Sequence, residues 1–329
     1  MQRSDDHPSL IPLFDAVAET PEDDGPRQVL SDALLERGDA RGEFISLQLL
    51  SAQGKATPKQ EAREKILRES HWRRWYSEVP GVGDSPTRVE PPVEFHRGFI
   101  RSCVMSPRGV GVNSPSWRMI ERIDLASTGD AGELAAPALQ HLAVLTGLDA
   151  ASMQVVLGGP DKPRLHELSF SGPWMQADRG RHEQRQVLSL TRFTSLRKLR
   201  LAPSPFRHHA DWLTWLFEAP LLHQLDRLTL WMELPFDVAG IHAQLVRQRL
   251  ARLRVELSNT GVCLALSESH LTVTFDNEFW LRQRAQAMRN LAPRFSPFPY
   301  RRFDVMVGTR SATKDELSLL GDHFVGYAN

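Results

Sequence analysis

The sequence is poor in cysteine and tyrosine and contains no long apolar run. Two of its 329 residues are cysteines and three are tyrosines. Cys103 and Cys263 lie in separate apolar, strand-like stretches, so we expect two free thiols in a reducing compartment and no disulfide framework. Neither cysteine stands in a motif typical of nucleophilic catalysis, and both are expected to be inert core residues.

Signals for membrane insertion and secretion are also lacking. No stretch approaches the run of about eighteen apolar residues that a membrane-spanning helix needs. The opening residues MQRSDDHPSL have neither the basic segment nor the apolar segment of a secretory signal. These absences predict a cytoplasmic protein.

An excess of charge of either sign is absent from the whole chain. The 40 lysines and arginines balance 40 aspartates and glutamates, so bulk charge gives no reason to expect a nucleic acid or an anionic membrane as partner. Locally the charge is uneven. The first fifty or so residues are acid-rich, whereas 164–207 and 281–310 are rich in arginine.

Motifs for catalysis and metal binding are missing as well. The sequence holds no C-x-x-C pair and no H-E-x-x-H motif, and Gly158-Gly159-Pro160 is too short for a phosphate-binding loop. The acidic residues 22–24 stand at a helix start, where negative charge complements the helix dipole. We therefore predict no enzymatic activity, no cofactor and no metal site.

The dominant pattern is a short phrase with apolar residues at its first, fourth and sixth positions. Its six copies start at Ile120, Leu139, Leu165, Leu196, Leu225 and Leu250. The starts are 19, 26, 31, 29 and 25 residues apart, which straddles the period of about 20–29 residues typical of leucine-rich repeats. The fold class predicted is α/β, a leucine-rich-repeat-like solenoid with an N-terminal helical module and a C-terminal cap.

Other elements are predicted on both sides of the repeats. Apolar residues at helical spacing indicate helices over 8–20, 26–37, 41–50 and 58–79. Two short strands hinged at Gly98 are expected to cover the open edge of the first repeat. After Leu257, strands over 262–266, 271–275 and 301–307 and helices over 278–291 and 314–324 are predicted to close the array.

Three segments near the N-terminus carry a family resemblance. They are Pro21-Glu-Asp-Asp-Gly-Pro-Arg27, Leu35-Glu-Arg-Gly-Asp39 and Ala40-Arg-Gly-Glu-Phe-Ile-Ser-Leu-Gln48. Together they resemble the bacterial repeat-companion domain, a short helical module known mainly from myxobacteria and planctomycetes. The sequence departs from that family at Ser31-Asp32-Ala33-Leu34, where an Ala-Asp-Trp-Leu phrase is usual. The resemblance implies a module that precedes repeats, often leucine-rich ones, and implies no activity.

The predicted domain organisation follows from these patterns. Residues 1–79 are the helical repeat-companion module and 80–92 are a linker rich in proline and glycine. Residues 93–257 are the solenoid with its N-terminal strand cap, and 258–329 are the C-terminal strand and helix cap.

The repeat phrase also predicts a binding surface. Its leucines point into the core, so the residues between them project onto the opposite, concave face. Arginine pairs carboxylates bidentately and tryptophan supplies an anchor, which favours a partner protein with an acidic segment. The residues predicted to bind it are Arg122, Asp124, His141, Glu167, Lys198, Arg200, Arg227, Trp231, Arg252 and Arg254.

The function predicted is a non-catalytic protein-binding scaffold: an adaptor, a regulatory subunit or a sensor. The alternative is a nucleic-acid-binding module that uses the same arginine-rich stripe and the basic region 281–310. Three further possibilities stay open. A weaker competitor is an enzyme assembled on the repeat loops. The acidic N-terminal module could dock on a basic patch of the same or another copy, and the stripe could be a merely solvated face.

Overall fold

A computed structural model describes residues 8–79, 93–105, 115–125, 132–170, 186–201, 215–231, 238–267, 269–291 and 302–320. The chain divides into two compact units, Met1–His166 and Glu167–Asn329, so a boundary falls inside the predicted solenoid. The predicted linker, 80–92, lies outside the described residues. Both units mix helices with strands, which confirms the α/β class.

The first unit begins with the four predicted helices, whose ends are shifted by a few residues. They are α1 (Ile11–Glu19), α2 (Asp24–Leu35), α3 (Ala40–Ala52) and α4 (Pro58–Tyr76). Polar side chains start three of them by accepting hydrogen bonds from backbone amides of the first turn: Asp23 for α2, Asp39 for α3 and Thr57 for α4. After α2 the chain turns at Gly38, whose φ of 70° suits glycine.

These helices share their core with the strands that follow. Phe14 and Ile45 are buried in one cluster with Phe99 of a strand and with Met119. In a second cluster, the Phe44 ring lies 4.5 Å from the centroid of Trp75 and 5.6 Å from that of Phe95. Trp75 is fully buried and therefore belongs to the core.

A buried ion pair joins α3 to the segment after α4. The guanidinium of Arg41 pairs with Glu78, and both side chains are buried. Ser116 donates to the same carboxylate at 3.1 Å, and the Arg41 guanidinium stands 4.8 Å from the ring centroid of Phe99. A buried charge requires such partners, because losing one of them typically costs about 3–5 kcal/mol.

The neighbours of Arg41 in the Ala40-Arg-Gly-Glu-Phe segment each have a physical role. A side chain at Gly42 would place its Cβ 2.6 Å from the carbonyl oxygen of Ser31, so glycine lets α3 approach α2 closely. Glu43 accepts two hydrogen bonds from Arg63 of α4, at 2.8 and 2.7 Å. The segment on which the family resemblance rests is therefore a helix-packing element.

Four strands complete the first unit. They are β1 (Glu94–His96), β2 (Phe99–Met105), β3 (Arg122–Leu125) and β4 (Val144–Leu148). β1 and β2 are antiparallel and turn at Gly98, as predicted, whereas β2, β3 and β4 pair in parallel. Short 3-10 helices over Pro115–Met119, Gly132–Ala135 and Pro137–Leu139 join the strands, and helix α5 (Ala150–Gly158) follows β4.

The second repeat copy was predicted in the wrong register. β4 pairs Leu145 with Ile123, so this copy starts at Leu142 instead of Leu139. Its sixth position is then Gly147, with a φ of 80° and a virtual Cβ only 2.6 Å from the carbonyl oxygen of Leu125. Glycine is required at this position, where the other copies have an apolar side chain. The true copy therefore does not match the apolar pattern, and its register could not be recognised from the sequence.

In the described part of the second unit, eight strands pair in chain order. They are β5 (Glu167–Phe170), β6 (Lys198–Leu201), β7 (Arg227–Trp231), β8 (Arg254–Asn259), β9 (Val262–Leu266), β10 (His270–Phe275), β11 (Arg302–Val307) and β12 (Arg310–Ser311). β5 to β8 are parallel; β9 is antiparallel to both β8 and β10; β11 is parallel to β10 and antiparallel to β12. The predicted strands after Leu257 are thereby confirmed.

Helical segments connect these strands, and one more helix follows β12. Short 3-10 helices cover Leu190–Arg192 and Pro220–His223, and longer helices are α6 (Val238–Arg247), α7 (Glu278–Leu291) and α8 (Lys314–Leu320). Helix α7 has the predicted ends. Within the part of the chain that the structure describes, no helix combines the length and apolarity needed to cross a membrane.

Two glycines in left-handed backbone allow a stability prediction for the first unit. An alanine Cβ at Gly98 (φ 91°) would stand 2.2 Å from Cγ1 of Ile45, whereas at Gly54 (φ 67°) it would meet no atom within 4 Å. Gly54→Ala should cost only the left-handed strain of about 1–2 kcal/mol. Gly98→Ala should cost about 1–3 kcal/mol more, because α3 must move away from the β1–β2 turn. Urea unfolding of both variants checks this, and equal midpoints would contradict it.

Candidate functional site

The second unit presents a polar sheet face opposite its core. Along β5 to β8 the apolar residues alternate with polar ones, and Leu168, Leu199, Leu228 and Val255 lie side by side and buried. The polar residues must then project from the other side. We call this surface the polar face; it comprises Glu167, Ser169, Lys198, Arg200, Arg227, Thr229, Trp231, Arg254, Glu256 and Ser258.

Three cations form one row across the polar face. Lys198, Arg227 and Arg254 occupy the same register position on β6, β7 and β8, so neighbouring cations stand about 4.8 Å apart at the backbone. We call these three residues the cation row. At its β5 end Glu167 pairs with Lys198, with 3.3 Å between the carboxylate oxygen and Nζ.

One carboxylate serves two of these cations. Oε1 of Glu256 lies 3.4 Å from Nε of Arg227 and 3.3 Å from Nε of Arg254, and Thr229 donates to Oε2 at 3.0 Å. Glu256 is 15% exposed, whereas the two arginine side chains are 47% and 51% exposed. Strands β5 to β8 carry four positive and two negative side chains, which leaves a charge of +2.

An exposed tryptophan stands beside the cations. The Trp231 side chain is 39% exposed, and the guanidinium of Arg200 lies 5.6 Å from its ring centroid. Stacking by a cation stabilises the ring while leaving part of it open to a partner. Because Arg227 and Trp231 are four residues apart on one strand and on one face, about 13 Å separates them.

Arg252 does not belong to the polar face, and its prediction was wrong. β8 pairs Val255 with Leu228, so the last repeat copy starts at residue 252 instead of Leu250. Arg252 therefore lies in an exposed turn before the strand. Leu250 and Leu253 are buried before β8, and their spacing matches the first and fourth positions of the repeat phrase, which explains the wrong register.

His141 was also predicted wrongly, because it depended on the misassigned second copy. It lies in the turn before β4, where its Nε2 is 3.0 Å from the side-chain nitrogen of Gln140. Partial burial, and then the charges of Arg164 and Arg118, lower the pKa of His141. A neutral imidazole in a turn offers no charge to a partner.

Arg122 and Asp124 are brought together on β3, in the first unit. Nε and Nη2 of Arg122 each lie 3.1 Å from an oxygen of Asp124, and the hydroxyl of Thr146 also donates to that carboxylate. These charges neutralise each other. The sequence does not predict Thr146 as a site residue, because the predicted second repeat copy starts three residues before the true one.

The basic region 281–310 serves local structure wherever it is described. Arg282 pairs with Glu278, and Arg284 stacks on Trp280 with 5.4 Å to the ring centroid. Arg310 donates two hydrogen bonds to Glu316 and holds the pKa of that carboxyl at about 2. Residues 292–301 lie outside the described residues.

A polar cluster on β10 and β11 was not predicted. Nε2 of His270 lies 2.8 Å from an oxygen of Asp304 and 3.1 Å from the hydroxyl of Thr272. Thr272 is opposite Ala265, which is opposite Glu256, so the cluster continues the polar side of the sheet. The alternation of both strands carries this signal, although the sequence pattern alone predicts only a closing cap.

Comparison of the chain with protein-family models, with curated proteins and with solved structures found no match. The resemblance to the repeat-companion domain stays a prediction. Over the residues that the structure covers, no group of three or more histidine, cysteine, aspartate or glutamate side chains is placed to hold a metal ion. The polar face is thus characterised by charge and by one aromatic ring.

Thiol reactivity gives a test of the two cysteines. Burial, followed by the charge of Asp124, raises the pKa of the Cys103 thiol to about 12, and burial also raises the pKa of the half-buried Cys263. A raised pKa favours the neutral, unreactive thiol at pH 8. We expect Ellman's reagent to modify neither residue rapidly in the native protein and both rapidly in urea. If the native Cys263→Ser variant still reacts rapidly with the reagent, Cys103 is not the buried, unreactive thiol assigned here.

Proposed function

We propose that this chain is a non-catalytic scaffold that holds another protein on the polar face, as an adaptor, a regulatory subunit or a sensor. The observation that carries the proposal is the exposed Trp231, which lies against Arg200 and about 13 Å along β7 from the cation row. Aromatic rings and arginines supply most of the binding energy of protein interfaces. A face with a residual charge of +2 favours an acidic segment of the partner.

We further propose that the parallel strands belong to a leucine-rich-repeat-like solenoid. Paired positions recur after 22 residues from Arg122 to Val144, and after 31, 29 and 27 residues from Glu167 through the cation row to Arg254. These lengths lie at or near the period of about 20–29 residues known for such repeats. Helical or 3-10 returns between parallel strands also suit that architecture, whose repeat surfaces commonly bind partners.

Protein is favoured over nucleic acid by the carboxylates within the polar face. Glu167 and Glu256 pair with the cations and leave strands β5 to β8 a charge of only +2, whereas tight binding of a phosphate backbone depends on many cation–phosphate contacts. Three arginines of 281–310, Arg282, Arg284 and Arg310, have local partners. Nucleic-acid binding remains the competing outcome of the experiment below.

Charge reversal on the cation row tests the proposed function. Arg227→Glu with Arg254→Glu should abolish capture of the partner from a lysate of the native host. Arg252→Glu is the matched control, because this exposed arginine lies in the turn before β8. Arg252→Glu should melt with the wild type, because substitutions of exposed side chains usually change stability by less than about 0.5 kcal/mol. The double variant places two carboxylates beside Glu256, so its melting temperature should fall modestly while it stays folded, which circular dichroism checks.

Mass spectrometry with and without nuclease reads out the capture. We expect proteins retained by the wild type and by Arg252→Glu, lost from the double variant and insensitive to nuclease. Unchanged capture by the double variant would remove the polar face as the binding surface. Capture that disappears with nuclease, and that falls steeply between low and physiological salt, would favour the nucleic-acid function instead.

A further inference from the structure

We propose that the occupant of the polar face is an acidic amphipathic helix of the partner, lying across strands β6, β7 and β8. Its carboxylates would meet the cation row, and an apolar side chain on its flank would pack against Trp231. This inference rests on the proposed function and specifies the secondary structure and chemistry of the partner segment. Three features of the polar face lead to it.

The first feature is that these strands have no free edge. β6 is paired with β5 and β7, β7 with β6 and β8, and β8 with β7 and β9. Their backbone groups are engaged in the sheet, so an extended segment laid on the face would find no strand to pair with. A helix satisfies its own backbone hydrogen bonds and needs only side-chain contacts.

The second feature is the width of the polar face along the strands. The cation row and Trp231 are about 13 Å apart along β7, with Thr229 between them. A helix with its side chains is about 10–12 Å in diameter. A helix whose axis runs over Thr229 would therefore touch the cations with one flank and the tryptophan with the other.

The third feature is the spacing across the strands. Neighbouring cations are about 4.8 Å apart, which is near the separation of about 5–6 Å between helix residues three or four apart. Alternate residues of an extended chain are about 6.6 Å apart, which does not match the spacing of about 4.8 Å between neighbouring cations. From Lys198 to Arg254 the row spans about 10 Å, or some six to seven helical residues. The expected partner carries acidic residues at i, i+4 and i+7.

Glu256 would compete with the helix for the same arginines. It is one carboxylate shared between Arg227 and Arg254, whose side chains are about half exposed. Ion pairs whose cation is open to solvent contribute little to stability, so an incoming carboxylate can replace them. Glu256→Gln would keep an acceptor for Thr229 and remove the competing charge, and should tighten binding of the acidic helix.

Synthetic peptides test the inference directly. The probe is a labelled, alanine-based peptide of about sixteen residues, long enough to be helical, with glutamates at i, i+4 and i+7 and leucines on one flank. Its control replaces two central alanines by proline, which breaks the helix and keeps every charge. Fluorescence anisotropy with the full chain at about 0.1 M salt measures both affinities.

We expect the helical peptide to bind at least about tenfold more tightly than its proline control. Binding should be lost in Arg227→Glu with Arg254→Glu, weakened in Trp231→Ala, retained in Arg252→Glu and tightened in Glu256→Gln. Circular dichroism of each variant verifies that it is folded. A variant that unfolds is replaced by the milder Arg227→Gln or Trp231→Phe.

Three outcomes would overturn the inference: equal affinity for the two peptides, no binding of the helical one, or binding unaffected by Arg227→Glu with Arg254→Glu. Lysate capture separates this failure from that of the proposed function. If capture still depends on Arg227 and Arg254, the polar face binds a partner in another form and only the helix is refuted. If capture is also independent of both, the proposed function fails too.

Discussion

The register of the parallel strands β5 to β8 is the constraint on which the second unit depends. The register places Leu168, Leu199, Leu228 and Val255 side by side in the core. The same register aligns Lys198, Arg227 and Arg254 on the opposite face. Because side chains alternate along a strand, a slip of one residue would bury the cations and expose the leucines. Burial of the apolar row therefore fixes the positions of the charges.

Alignment of like charges is unfavourable for the isolated sheet. Cations directly opposite one another on neighbouring strands repel, and here three lie in sequence. Glu167 and Glu256 reduce this repulsion without cancelling it. A surface evolved only for stability would alternate the signs. The residual repulsion would be relieved by a bound acidic group, which is the physical reason to regard the polar face as a binding surface.

Local patterns predicted most of the elements, because alternation and helical spacing are properties of a few consecutive residues. The strands after Leu257 and helix α7 followed directly from them. The register of two repeat copies was predicted wrongly. In the second copy Gly147 occupies a position that is apolar elsewhere. In the last copy, leucines of the segment before β8 have the spacing of the repeat phrase. Glu256 as the shared partner of two arginines, and Glu78 as the partner of Arg41, depend on tertiary neighbours that no local pattern contains.

The cluster that joins Phe14 and Ile45 to Phe99 and Met119 has a consequence for modularity. A helical segment that resembles a known module is readily taken for a self-contained domain that proteins can exchange. In this chain Phe99 and Met119, which lie beyond the 80–92 stretch, complete the core of the helices, and Ser116 donates to the buried Glu78. A transplanted segment ending at residue 79 would keep eight of the ten buried residues of this cluster but would expose the surfaces that Phe99 and Met119 cover, so the smallest unit expected to fold in the same way includes the first strands.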